Sequence, residues 1–332
     1  MEKSQVLKGR SRKKDVMKYT LILIAVIVFI IFAFLKPETF PTYSNIMTFF
    51  RQGSIYGIVV IGVTWVLAMD EMDVSFPEIA AFASVLCATL VANGMNLDVA
   101  AIITLVCGAL FGLLNGFLIS ELHLPSMITT IAVAGLAKAL GNMIAQGRTI
   151  AVEKDPSAVF YNITNNKVLG IPIVFLVFIA LIILLVVIQE RTKFGQYVYA
   201  IGDSRDAAMA AGIRIKRVQK IVFTLSGLFG AFGGILLMLM VSSGQPTMGS
   251  TLFLDSFTKI LLGALLLKVG KTNMIGTLVG VLLMAMLVNG LTQMGLASHI
   301  SQIITGILLI IGVMLTTFIQ RRYQRNALQL DV

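Results

Sequence analysis

Charge is what this chain has least of. Asp, Glu, Lys and Arg make up 13% of it, about half the roughly 25% of an ordinary soluble domain, while 57% of its residues are hydrophobic. A chain of 332 residues could build a large soluble core, but not cover it with so few charges, so the bilayer is the solvent it fits. Cysteine is nearly missing as well. Cys87 and Cys107 both lie inside apolar runs, which reads as small core residues and argues against a disulfide or metal framework. Histidine is confined to His123 and His299, both at the edges of apolar runs. No nucleophile–base pair or metal-ligand set is visible, which disfavours an intramembrane enzyme. A nucleotide loop is missing too: Val269-Gly270-Lys271-Thr272 has the ending of one, but the earlier glycine the motif requires falls on Leu265.

What is present is a series of long apolar runs. A membrane-crossing helix needs about 20 apolar residues, with 17 tolerated. By that measure candidates fall near 19–35, 54–69, 78–94, 98–119, 127–146, 170–189, 218–241, 252–268, 274–294 and 299–319. The first lacks a small-residue cleavage site and is followed by further spans, so it reads as a retained helix and not as a secretory leader. The expected architecture is all-α: a polytopic membrane protein of about ten transmembrane helices, forming a single transmembrane domain over residues 1–332. The third to fifth spans are interrupted by Gly, Pro and acidic residues, the composition of broken or re-entrant segments.

The net charge of +10 would suggest nucleic acid in a soluble protein, but here the basic residues flank the spans. Lys3, Lys8, Arg10, Arg12, Lys13, Lys14 and Lys18 lie in the N-terminal segment 1–18. Arg191, Lys193, Arg205, Arg214, Lys216, Arg217 and Lys220 surround the loop 190–217, and Arg321, Arg322 and Arg325 lie in the tail 320–332. With ten crossings both termini and that loop share one side, and the opposite loops hold only Lys36, Arg51, Arg148, Lys154 and Lys167. The positive-inside rule makes the basic side cytoplasmic, in a cell or inner membrane, and leaves no role for nucleic acid.

Glycines at helical spacing, Gly108, Gly112 and Gly116 and again Gly227, Gly230 and Gly234, predict close helix packing. Within the basic loop, Ser204 or Asp203 can cap a short helix, the alanines up to Ala211 favour it, and Gly212 can end it. Its apolar face is Ala and Met, too small to hold lipid strongly and suited to a groove on another protein.

The run Tyr197 to Gly212, followed by Ile213, Lys216 and Arg217, resembles the cytoplasmic coupling segment of the permease subunits of ribose-type sugar ABC importers, within the branched-chain amino acid/ribose permease superfamily. The resemblance continues through Leu225, Ser226, Gly227 and Gly234 into Ser242 to Gly249, Leu254 and Asp255. Upstream, Met72-Asp73-Val74-Ser75 is similar to that family's Asp-x-Ser turn, and Gly112 to Gly116 to its Gly-x-x-Asn-Gly helix. It covers nearly the whole chain. What it implies is an importer permease fold of the type II kind, and a transmembrane channel subunit for a ribose-like monosaccharide. Its partners would be a second permease subunit, the same or paralogous, two cytoplasmic ABC ATPase domains, and an extracellular sugar-binding protein. The chain itself would hold no cofactor; ATP and magnesium would be bound by the ATPase. Gly202, Asp203, Ser204, Ala207, Ala208, Ala211 and Gly212 would form the coupling contact. The chain departs from the family at Asp70 and Glu71, where Gly-Gly is usual, at Pro77-Glu78, and in the thinned glycine stretch between 263 and 277, changes that suit one member of an unequal permease pair.

Asp70, Glu71, Asp73 and Glu78 read as an acidic cluster at a helix break: a gate, or an exposed turn. Candidates for lining the path are Asp73, Ser75, Asn115, Gln245, Asp255 and Asn289, with Gln293 nearby, since neutral amides exchange hydrogen bonds with sugar hydroxyls without a charge penalty. Lys138 and Lys259 need partners that the sequence does not name. The competing expectation is a stand-alone ion-coupled transporter of a small polar solute, which would require acids or histidines at span centres.

Overall fold

A computed structural model describes residues 21–266 and 271–328. The basic N-terminal segment 1–18, Lys268 and the last four residues lie outside it, as do the side chains of Arg321, Arg322 and Arg325. Each of the ten expected spans is a helix: α1 (Leu21–Leu35), α2 (Tyr43–Ala68), α3 (Phe76–Ala92), α4 (Leu97–Glu121), α5 (Ser126–Ala145), α7 (Ile173–Arg191), α10 (Ile215–Val241), α11 (Met248–Gly263), α12 (Met274–Gln293) and α13 (Ser298–Leu328). Seven are long and apolar enough to cross a membrane outright; α1 and α3 are apolar but shorter. Between them lie α6 (Val159–Asn165), α8 (Lys193–Asp203) and α9 (Arg205–Ala210). Two small antiparallel ribbons complete the chain, β1 (Ile150–Ala151) with β4 (Ser243–Gly244), and β2 (Lys167–Val168) with β3 (Ile171–Pro172). The second closes through Leu169 and Gly170, both at positive φ, as a two-residue hairpin turn requires.

The chain forms two compact units, one of residues 50–256 and one of the segments up to Phe49 and from Phe257. In the larger unit α10 is the axis, packing chiefly on α4 and then on α3. Glycines make this possible on three sides. Gly108 and Gly112 of α4 meet Gly227 and the backbone at Phe223. Gly230 and Gly234 abut the backbone of α3 at Phe76 and Ala80, and Gly233 abuts Val59 of α2. A side chain at these positions would drive the helices apart, so backbone contact replaces side-chain interdigitation. Burial follows: 72% of the apolar window of α10 is covered, against 28% for α7, whose Leu176, Ile183, Leu184 and Val187 face outward as a lipid-facing stripe.

The helix ends are satisfied locally. Asn96 caps α4, and Asp98 in the first turn of α4 accepts from the amides of Val159 and Phe160 at 2.9 and 3.1 Å, capping α6. At the other end of α6, Arg51 donates to the Thr164 carbonyl (2.9 Å) and to Asn165 Oδ1 (2.6 Å). An anion at its N-terminus and a cation at its C-terminus both oppose the dipole of this short helix.

In the smaller unit, Gly263 of α11 and Gly276 of α12 pack backbone to backbone, and Asn273 caps α12 by accepting from Gly276 N–H at 2.7 Å. Asn273 also donates to the Leu266 carbonyl at 2.9 Å, fixing the turn. Asn289 accepts from Gln293 (3.3 Å), whose own Oε1 accepts from Thr39 Oγ1 (2.7 Å).

Candidate coupling and gating site

The four acids after α2 do not form one cluster; each has its own job. Helix α2 ends with Asp70 in the left-handed region (φ 58°) and the Glu71 amide donating back to the Val66 carbonyl. Asp70 thus stands where helix ends most often use glycine. Glu71 is half-buried and its Oε1 accepts from Gln219 Nε2 at 3.0 Å and Arg205 Nη1 at 3.3 Å. Asp73 is fully buried: Oδ1 accepts from the Ser75 amide and hydroxyl (2.7 and 2.6 Å), and Oδ2 from Ser226 Oγ of α10 (2.6 Å). Asn115 of α4 donates to Ser75 Oγ at 2.7 Å. Ser126 and Thr130 of α5 accept from the Met72 and Val74 amides at 3.3 and 3.1 Å.

The break is therefore a polar hub that ties α3, α4, α5 and α10 together where backbone leaves helical form. Ser226 lies about 16 Å along α10 from Ile215 at about 1.5 Å per residue, so the hub is within the depth of that span and α3 begins there. Non-helical backbone at such depth requires internal partners, and Asp73, Ser126 and Thr130 supply them. Asp73, Ser75 and Asn115 are all at 0% exposure, so these three path candidates sit in packing between helices. Gln245 and Asp255 are half-buried at and after the turn into α11; the Gln245 amide donates to Ser84 Oγ (3.3 Å) and its side chain to Ser243 Oγ (3.2 Å). Asn289 belongs to the smaller unit.

The basic loop holds two helices. Thr192 caps α8, accepting from Gly195 N–H at 3.4 Å, and buried Gly195, Val198 and Ile201 give α8 one inward face. Trp65 of α2 lies 5.4 Å from the Phe194 ring, and Gly202 packs on the Ala68 carbonyl. Burial, reinforced by the Glu190 carboxylate, pushes the Tyr199 phenol above its ordinary range, so it is a neutral hydroxyl. Ser204 caps α9 by accepting from Ala207 N–H (3.3 Å). Gly212 at φ 77° closes α9: its amide reaches the Met209 carbonyl and that of Ile213 reaches Ala208, both at 3.0 Å.

Of the coupling residues read from the sequence, Asp203, Ser204, Ala207, Ala211 and Gly212 are exposed. Ala208 is buried and Gly202 half-buried against α2, so these two face their own chain. Met209, at 59% exposure, joins the outward face. Arg205 at the start of α9 and Glu71 at the end of α2 were not singled out as a pair, because 134 residues separate them.

A family model described as the permease component of a branched-chain amino acid transport system matches residues 45–313. The chain belongs to this permease family. Among curated relatives it is 31% identical over 289 residues to the ribose import permease protein RbsC of Bacillus subtilis (strain 168), covering 87% of this chain and 89% of that one. It is 30% identical over 302 residues to the probable ABC transporter permease protein YphD of Escherichia coli (strain K12), covering 91% and 90%. It is 26% identical over 310 residues to the L-arabinose ABC transporter permease protein AraH of Azospirillum brasilense, covering 93% and 90%. As a member, this chain is a multi-pass membrane permease component of an ABC transport system, and the stand-alone ion-coupled reading is disfavoured.

Proposed function

We propose that this permease forms half of the channel of an importer for a ribose-like monosaccharide, working with a second permease subunit, two cytoplasmic ATPase domains and an extracellular sugar-binding protein. ATP and magnesium belong to the ATPase, and both termini of this chain are cytoplasmic in a cell or inner membrane. The relatives named for ribose and arabinose support the substrate class. The observation that carries the mechanism is the wiring of α9. Together with Asp203 at the end of α8 and Ala211 just past α9, its outer face presents Ala207 and Met209 to a partner, while Arg205 and Gln219 hold Glu71, two residues from Asp73. A displacement of α9 by a closing ATPase therefore pulls on the end of α2 and, through the Asp73–Ser75 bonds, on the start of α3, while the Asp73–Ser226 bond carries it to α10 inside the membrane. The bistable element is the non-helical segment 69–75, whose Met72, Val74 and Ser75 amides are held by side chains in place of helical backbone bonds.

Uptake by proteoliposomes holding this chain, its partners and sugar-loaded binding protein tests the reading. It predicts accumulation only with ATP inside and the ATPase present. Uptake driven by an ion gradient in the absence of the ATPase would contradict it.

A further inference from the structure

Leu169 is the most exposed large hydrophobic residue among the described ones, at 95%, and it sits at the tip of the β2–β3 hairpin. Leu169 and Gly170 form the turn at φ 51° and 83°, where such hairpins prefer Asn-Gly or Asp-Gly and a bulky side chain is an outlier. A leucine that strains its own backbone and is left almost wholly uncovered gains nothing from the fold, so what stabilises it lies outside the chain. Its neighbours Lys167 and Val168 are exposed as well. The hairpin leads directly into α7, at the end of that span opposite the basic loop. Val168 pairs with Ile171 and Lys167 with Pro172, and the Ile173 amide that opens α7 donates to the Asn166 carbonyl at 3.0 Å.

Helix α7 alone is too short for a membrane. Its apolar run from Ile173 to Ile188 is about 24 Å long at about 1.5 Å per residue, against a hydrocarbon core of about 30 Å. The missing length of about 6 Å falls at the hairpin end, because Glu190 and Arg191 are exposed at the other. Outward from Ile173 the chain stays apolar through Pro172, Ile171, Gly170, Leu169 and Val168, and only then reaches Lys167. At about 3.3 Å per residue the tip stands no more than about 10 Å from Ile173, and the headgroup layer adds about 5–7 Å to each side of the core. Upright or tilted, the tip therefore ends between the acyl chains and the phosphates. We propose that the β2–β3 tip is a bilayer anchor and that its partner is the phospholipid interface: Leu169 and Val168 enter the edge of the acyl chains, and Lys167 reaches the phosphates. The anchor supplies the length that α7 lacks and continues the lipid-facing stripe of Leu176, Ile183, Leu184 and Val187. Through the Asn166–Ile173 bond it also fixes the depth of α6, which Asp98 of α4 and Arg51 of α2 hold at its two ends. It does not depend on which solute is carried.

The test is fluorescence quenching on the full chain in phosphatidylcholine vesicles. The chain's own Trp65 is fully buried, so Leu169→Trp adds one accessible tryptophan, and wild type supplies the background. The added emission is expected to lie to the blue of a water-exposed indole and to be lost in vesicles of lipid brominated near the headgroup. Lipid brominated near the chain end is expected to quench it less, and iodide on both sides of the vesicle to spare it. Should Leu169→Trp fail to insert, Val168→Trp carries the same expectation. Emission quenched by iodide and untouched by either brominated lipid places the tip in water and overturns the anchor. Protection from iodide that arises only when the sugar-loaded binding protein is added assigns the tip to that partner and overturns the anchor as well.

Discussion

At the scale of single residues, the acids between α2 and α3 show how one sequence feature separates into unlike roles. Asp70 carries a backbone conformation, so Asp70→Gly is expected to raise the melting temperature of the detergent-extracted protein, by the equivalent of about 0.5–1 kcal/mol. A fall would show that the Asp70 side chain itself is needed. Asp73→Ala removes three short bonds and leaves the Ser75 and Ser226 hydroxyls buried without their acceptor, a loss of about 3 kcal/mol or more. Asp73→Asn keeps an acceptor and should lose less; equal stability of both variants with wild type in a thermal melt would contradict the hub. The Asp73–Ser75 turn was legible in the sequence through the family resemblance, but its partner on α10 was not. Asp73 and Ser226 stand 153 residues apart, and no local pattern announces a hydroxyl in the middle of a distant helix as the partner of a carboxylate.

Among elements, the apolar runs announced themselves because a span has only one solution to its backbone hydrogen bonds, the helix. All ten runs are helices, and the ends of α9 follow from Ser204 and Gly212 as their residue types predict. The missed elements are those held by tertiary partners. Helix α6 is seven residues long and exists between Asp98 and Arg51, and α8 is set by packing on α2 through Trp65 and Gly202. The inward turn of Ala208 and Gly202 was likewise hidden, because small residues suit a packed face as well as a docking face. The glycine contacts make a graded prediction. Gly112→Leu or Gly227→Leu separates α4 from α10 and should abolish folded protein on size-exclusion chromatography, whereas Gly135→Ala, with open space around it, should elute as wild type. If Gly112→Leu folds normally, the close packing of α4 on α10 is wrong.

For the molecule as a whole, the account is of a machine whose power source is elsewhere. The family supplies the class, a permease component, and the bonds of Arg205 and Gln219 to Glu71 support the proposed route from α9 to the segment that starts α3. Ala207 is exposed on α9, so under the proposed docking Ala207→Trp is expected to block the ATPase contact while the fold is kept. The decisive measurement is ATP hydrolysis and sugar uptake, made in parallel on the reconstituted complex carrying this substitution. The account predicts that uptake falls at least about tenfold while this chain remains folded and inserted. Wild-type uptake by Ala207→Trp, at a wild-type ratio of sugar moved to ATP hydrolysed, would contradict it.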